Sequence, residues 1–287
     1  MELNFNTQCT HLITMAIKED CPNNDITVTT YFNSKNTISA KLISKQNGIF
    51  FGKTIIQLIL TMYDEHSNVQ FYINDGDKVL ESDIICTITC DQHTLLLVER
   101  TMLNIIQRLC GIATLTNTFI ARLNNPKINI CDTRKTTPGL RFLEKAAVKM
   151  GGGTNHRFNL SDMILIKENH LKVIKEEGSL QDLSTNIVKA KQESPLLKAE
   201  IEIETLDQLQ TYDLSEFDYV LLDNFDLTTL SKAIKICRNL YPHIEIEVSG
   251  NVNLDTIYAY NSFDIDRISI GALTHSVSAF DISLLVD

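Results

Sequence analysis

Ala199-Glu200-Ile201-Glu202-Ile203-Glu204, then residues 206–212 at helical spacing, then Tyr219-Val220-Leu221-Leu222-Asp223-Asn224, decide the fold. The outer runs are short strand patterns, and apolar residues recur between them at the period of a helix. Two strands joined by a helix belong side by side and parallel. Outward from this unit the same pattern repeats. Strand patterns stand at residues 128–131, 163–166, 199–203, 219–222, 244–248 and 267–270. Helical patterns stand at 140–150, 173–192, 206–212, 227–240 and 254–260. Six β units alternating with helices predict a parallel sheet, either closed as a barrel or open and doubly wound.

The preceding residues have another texture. Alternating runs at 37–43, 69–73 and 84–89 are separated by turn signals such as Asn47-Gly48 and Asn74-Asp75-Gly76-Asp77. Helical patterns appear near 8–19 and at 54–63, so a small sheet-rich domain with helices is expected. A long amphipathic run, residues 95–123, bridges the two parts.

Composition narrows the function. A chain of 287 residues with 44% hydrophobic and 22% charged residues is long enough for one large domain or two modest ones. The net charge of −10 argues against DNA and anionic membranes as partners. The longest apolar patch, around 55–60, is too short to span a bilayer, and with Glu2, Lys18, Glu19 and Asp20 and no apolar h-region near the N-terminus, no signal peptide is expected. Seven cysteines without CxxC spacing suit reduced thiols, and a cytoplasmic location is expected. Neither GxGxxG after a strand nor GxxxxGK[ST] occurs, which removes two common nucleotide-binding readings.

One segment departs from the acidic background. Residues 131–170 hold seven Lys/Arg against four Asp/Glu, while the rest of the chain carries a balance of −13. They include Thr133-Arg134-Lys135-Thr136-Thr137-Pro138-Gly139-Leu140-Arg141, Gly151-Gly152-Gly153-Thr154-Asn155-His156-Arg157 and Ile166-Lys167-Glu168-Asn169-His170. A cationic segment on an acidic protein suits a small, multiply anionic ligand. The strand ends extend the pattern: Arg134/Lys135, Lys167, Glu202/Glu204, Asp223-Asn224, Ser249-Gly250-Asn251 and Gly271-Ala272-Leu273-Thr274-His275. In α/β barrels these ends converge on the face that carries the chemistry, with phosphate often held by the last loops. Singly, each has a plain explanation. Arg134 and Lys135 suit solvated loop charges, His156 a structural histidine, and Lys167 an ion pair. Glu200, Glu202 and Glu204 share a strand face, so they need cations, solvent, a metal or hydroxyls as partners. Gathered at successive strand ends, they describe a site for a phosphorylated sugar and an anionic partner.

These residues resemble the signature of the quinolinate phosphoribosyltransferase (carboxylating nicotinate-nucleotide pyrophosphorylase) family. The resemblance extends to Glu99-Arg100-Thr101, Asn104, Gln107-Arg108-Leu109 and Gly111-Ile112-Ala113-Thr114. It continues through residues 200–204, Leu221-Leu222-Asp223-Asn224-Phe225, Ser249-Gly250-Asn251 and 269–276, nearly the whole chain. It implies an α/β fold: an N-terminal α+β sandwich-like domain followed by an incomplete, six-stranded α/β barrel. The corresponding boundaries are residues 1–112, 113–272 and a tail, 273–287, packed back on the N-terminal domain. It implies a homodimer, open to further assembly, that joins quinolinate and phosphoribosyl pyrophosphate to give nicotinate mononucleotide, pyrophosphate and CO2.

By the same resemblance, Arg134, His156, Arg157 and Lys167 line a quinolinate pocket, with Arg100 supplied by the neighbouring subunit. Lys135 lies near the ring or sugar-phosphate, and Thr133 and Ser269 complete the substrate-binding set. Glu202 and Asp223 hold ribose hydroxyls or Mg2+, directly or through water. Ser249, Gly250, Asn251, Gly271 and His275 cradle the 5-phosphate. Lys135, Lys167, Glu202 and Asp223 form the catalytic group.

The residue types fit the chemistry. A dicarboxylate suits forked guanidinium and ammonium donors, and an oxocarbenium-like sugar is favoured by nearby carboxylates. Once the ring nitrogen is glycosylated, the pyridinium accepts the electrons left by departing CO2, so no organic cofactor and no obligatory general base are needed. Three rivals differ in class. A nicotinate-specific or molybdenum-associated relative would have less use for so many cations. A Schiff-base lyase acting through Lys167 would have little use for the phosphate loops. A ligand sensor would tolerate loss of charged positions that are all present here.

Overall fold

The computed structural model describes residues 4–32, 34, 36–178 and 182–287. They form two compact units: Met1–Asn117 with Phe142–Gly152 and Ser276–Asp287, and Thr118–Arg141 with Gly153–His275.

In the first unit, Asn4 caps the helix Phe5–Asp20 by accepting the Thr7 N–H at 2.8 Å. The strands are β1 (Thr37–Ser44), β2 (Gly48–Ile49), β3 (Asn68–Phe71), β4 (Lys78–Val79) and β5 (Ile84–Asp91). A four-stranded antiparallel sheet runs in the order C-terminal strand Ile282–Val286, β1, β5, β3, and β2 pairs with β4 separately. Register is set by alternation: Leu42 lies opposite both Leu284 and Cys86, and Ala40, Leu42, Cys86 and Ile88 are buried. The helix Lys53–Tyr63 buries Ile55, Ile56, Ile59 and Leu60, each contributing about 1.5–3 kcal/mol.

The Asp91 carboxylate accepts the N–H groups of His93 and Thr94, which starts the helix Gln92–Leu123 three residues before the periodic apolar run begins. Gly111 on this helix allows a close backbone approach. A Cβ there would lie 2.3 Å from the carbonyl oxygen of Ser278, which as backbone cannot yield. Gly111→Ala is therefore expected to cost about 1–3 kcal/mol, read as a lowered Tm.

The second unit contains β6 (Asn129–Cys131), β7 (Met163–Ile166), β8 (Lys198–Ile203), β9 (Tyr219–Asp223), β10 (Glu245–Ser249) and β11 (Arg267–Ser269). All pairings are parallel, in the order β6-β11-β10-β9-β8-β7. No ladder joins β6 to β7 among the described residues, so this is the six-stranded sheet of an incomplete barrel. Arg267 on β11 nevertheless reaches Glu200 on β8 at 3.0 Å. Three strand spacings are about 14 Å on a flat sheet, so the sheet curls and one face converges. Period two decides what that face carries. On β8 it is Glu200 and Glu202, while Ala199, Ile201 and Ile203 are buried on the other side.

Two helical expectations are corrected. The run 173–192 is divided into helices Glu168–Glu176 and Leu183–Glu193, with residues 179–181 outside the described set. Gly178, at φ 72°, adopts the left-handed conformation that closes a helix. Residues 254–260 make only a 3-10 turn, Ile257–Tyr260. The Asn253 side chain takes the N–H groups of Asp255 and Thr256, holding a local turn in place of a longer helix.

Candidate active site

The inward-facing residues of the second unit enclose a cavity of about 860 Å³ at the C-terminal ends of its strands. Thr133, Arg134, Lys135, His156, Arg157, Lys167, Glu202, Asp223, Ser249, Gly250, Asn251, Ser269, Gly271 and His275 all line it. Arg100 does not; it lies exposed on the helix Gln92–Leu123 of the first unit.

One wall is cationic. Asp132, buried at the end of β6, accepts the His156 N–H at 2.9 Å and the Asn155 amide at 2.5 Å, which ties the loop after Gly153 to the loop carrying Arg134. Arg157 donates from its guanidinium to the Met163 carbonyl at 3.1 Å. Burial, then the neighbouring charge of Arg134, lowers the Arg157 pKa. Two guanidinium groups are thus held close enough to repel. The Arg134 Nε is buried without a hydrogen-bond partner, and a buried charged donor left in this state calls for an anion.

His156 is buried and also lines the cavity. Its Nδ1 accepts the Arg157 main-chain N–H at 2.7 Å, and Nε2 faces Glu200 at 3.0 Å and Glu247 at 3.4 Å. Burial opposes charge on the ring, but Glu200 and Glu247 together outweigh it and raise the pKa to about 9. Charging the ring would put a proton on Nδ1 and break the Arg157 bond. In either protonation state Nε2 presents a proton to the two carboxylates, and the Arg157 bond belongs to the neutral ring, whose Nδ1 carries none.

Acidic side chains line the same cavity. Lys167, just past β7, donates to Glu202 on β8. Glu204 and Glu168 also line the cavity. The Glu204 pKa is raised by burial and then by the charges of Glu168, Glu202 and Asp223, the mark of crowded carboxylates. Asp223 accepts the Ser249 hydroxyl on one oxygen and the Asn224 amide at 2.6 Å on the other. Asn224, Gly250 and Asn251 all have left-handed backbone, at φ 56°, 92° and 53°. A Cβ on Gly250 would lie 2.2 Å from Asn224 Oδ1, so only glycine lets these two loops meet. On the last loop, Thr274 donates to the Lys135 carbonyl at 2.9 Å, and a Cβ on Gly271 would meet Lys135 Cδ and His275 Nε2 at 3.0 Å.

Two participants went unnamed in the sequence reading: Glu247 and Arg267. Their signal is present but weak. Glu245 and Glu247 alternate with apolar residues as Glu200 and Glu202 do, and Arg267 opens a strand in which Ile268 and Ile270 are apolar.

A model of the quinolinate phosphoribosyl transferase C-terminal domain matches residues 112–285, and one of the N-terminal domain matches residues 25–110. The chain is 37% identical over 278 residues to the probable carboxylating nicotinate-nucleotide pyrophosphorylase of Bacillus subtilis, covering 96% of this chain and 93% of the relative. Its structure is similar to the crystal structure of NadC from Streptococcus pyogenes, at TM-score 0.88 and 33% identity, with 98% of each chain covered. It is equally similar, at TM-score 0.88 and 32% identity, to the nicotinate-nucleotide pyrophosphorylase of Francisella tularensis, covering 100% of this chain and 98% of the other. With models of both domains matching residues 25–110 and 112–285, and relatives at 32% identity or more along nearly the whole chain, the chain belongs to the quinolinate phosphoribosyltransferase family.

Proposed function

We propose that this chain joins quinolinate to phosphoribosyl pyrophosphate and decarboxylates the product, giving nicotinate mononucleotide, pyrophosphate and CO2 in NAD biosynthesis. The observation that carries the reading is the pair Arg134 and Arg157, with the unpartnered Arg134 Nε, in one cavity with the carboxylates of Glu168, Glu202, Glu204 and Asp223. A dicarboxylate balances the first; a sugar developing positive charge is balanced by the second.

Arg134, Arg157 and Lys167 grip the two carboxylates and aim the ring nitrogen at the sugar's anomeric carbon. Asp223 and Glu202 face that carbon as pyrophosphate leaves with the electron pair of the broken C–O bond, and stabilise the cationic sugar. The ring nitrogen then donates its lone pair to form the C–N bond. Loss of CO2 from carbon 2 leaves its electrons next to the pyridinium nitrogen, and a proton replaces the carboxylate. The loops at Ser249–Asn251 and at Gly271 and His275 hold the 5-phosphate, with Lys135 beside it.

The donor set fits Mg2+: hard carboxylate oxygens crowd together in the cavity, and magnesium takes one or two of them with water and phosphate oxygens. Glu202 and Asp223 would hold the ion, directly or through water, and what it supplies is charge neutralisation on the departing pyrophosphate. No helix of the described residues is long and apolar enough to cross a membrane. All seven cysteines are free, which supports a reducing compartment, the cytoplasm.

The test is release of CO2 and pyrophosphate from quinolinate, phosphoribosyl pyrophosphate and Mg2+; turnover of nicotinate alone, with no CO2 from quinolinate, would overturn the assignment. The exposed Arg100 is assigned to a second copy's site in a homodimer. Mixing an Arg100→Ala chain with an Asp223→Ala chain should restore part of the lost activity, since one site in the mixed dimer keeps both residues. Mixtures no more active than either parent would remove Arg100 from a shared site.

A further inference from the structure

We propose that Arg267, which does not line the cavity, is a positioning residue that sets the quinolinate-binding wall through Glu200, Glu247 and His156. The inference rests on the functional reading above. Arg267 stands on β11 with its guanidinium over the Tyr219 ring, 3.8 Å from the centroid. It donates to Glu200 on β8 at 3.0 Å and pairs with Glu247 on β10. Both carboxylates are fully buried and both turn toward Nε2 of His156. The other ring nitrogen accepts the main-chain N–H of Arg157. A continuous chain of polar contacts therefore runs from the interior of the curled sheet to the backbone of Arg157.

The arrangement is built for support. His156, Glu200 and Glu247 have the composition of a metal site, their donor atoms within 4.8 Å of one another. Arg267 already spans both carboxylates, so the cation that balances them is a side chain. A planar fork suits this: it engages two carboxylates at once and fixes the angle between them, which an ammonium does not. With both its nitrogens partnered, His156 presents a fixed ring and a fixed Arg157 backbone to the cavity. A wall of repelling cations needs such an anchor, because the free energy favouring its collapse away from Arg134 is built into the site.

The test is a double-mutant cycle between Arg267→Met and His156→Ala on the full chain. Arg267→Met should raise the KM for quinolinate at least about tenfold while leaving the KM for phosphoribosyl pyrophosphate within about twofold. Arg267→Lys, which keeps the charge but engages one carboxylate at a time, should fall between. Because both act on Arg157, the double variant should be no worse for quinolinate than the worse single one. Multiplicative effects, or an unchanged quinolinate KM, would overturn the proposal. Should Arg267→Met fail to fold, Glu247→Gln, of the same volume, replaces it in the same cycle with the same outcomes. Wild-type protein inactive on quinolinate would sink the functional reading instead. The positioning is then judged from a crystal structure of the folded variant: unmoved His156 and Arg157 overturn it, displaced ones uphold it.

Discussion

Lys167→Ala is expected to lower kcat/KM for quinolinate about 30-fold or more, from loss of a charge-assisted contact of about 2–5 kcal/mol. Lys167 ends β7 and extends into the cavity, where it donates to Glu202. In the proposed complex its ammonium turns to a substrate carboxylate, so truncation removes one of the groups that distinguish a dicarboxylate from a monocarboxylate. Most of the loss should fall on the KM for quinolinate. The backbone is held independently, by the Lys167 N–H donated to His170 Nδ1 at 3.0 Å, so the fold should survive. Steady-state kinetics with both substrates, alongside circular dichroism, decide the matter. A quinolinate KM within about twofold of wild type would place Lys167 outside the substrate's reach.

Asp223→Asn should act on the other parameter. The substitution keeps shape and can keep the contacts to Ser249 and Asn224, but removes the negative charge facing the anomeric carbon. By analogy with loss of one preorganised oxyanion-stabilising donor, kcat should drop about 10²–10³-fold, roughly 2.7–4 kcal/mol. The quinolinate KM should change little, because in the proposed complex that carboxylate serves the sugar and not quinolinate. Single-turnover measurement of pyrophosphate release separates this step from product release. An unaltered rate would show that the sugar's developing charge is met elsewhere, leaving Glu202 as the principal candidate.

These two outcomes probe residues that are visible in the primary structure as strand-end charges. Lys167 follows the apolar run Met-Ile-Leu-Ile, and Asp223 follows Tyr-Val-Leu-Leu. Where a strand stops being apolar, it is leaving the sheet toward the face that carries function. The helix limits were less legible, because Gly178 and the Asn253 turn act locally within runs whose apolar spacing continues past them. Arg267 and Glu247 were invisible as a pair. Nothing in the spacing of residues 247 and 267 indicates that they meet, or that Glu200 and His156 join them.

Element order, the parallel character of the second sheet, the identity of each strand-end side chain and membership of the family were all determined by the chain's own pattern. These depend on period-two and helical periodicity and on local motifs, which are properties of neighbours along the chain. Which charges neutralise one another, and which buried donor at Arg134 is left waiting for an anion, was decided only in three dimensions. The curl of the sheet brings β11 within a side chain's reach of β8, and electrostatic pairing depends on that distance through space, which sequence separation does not encode.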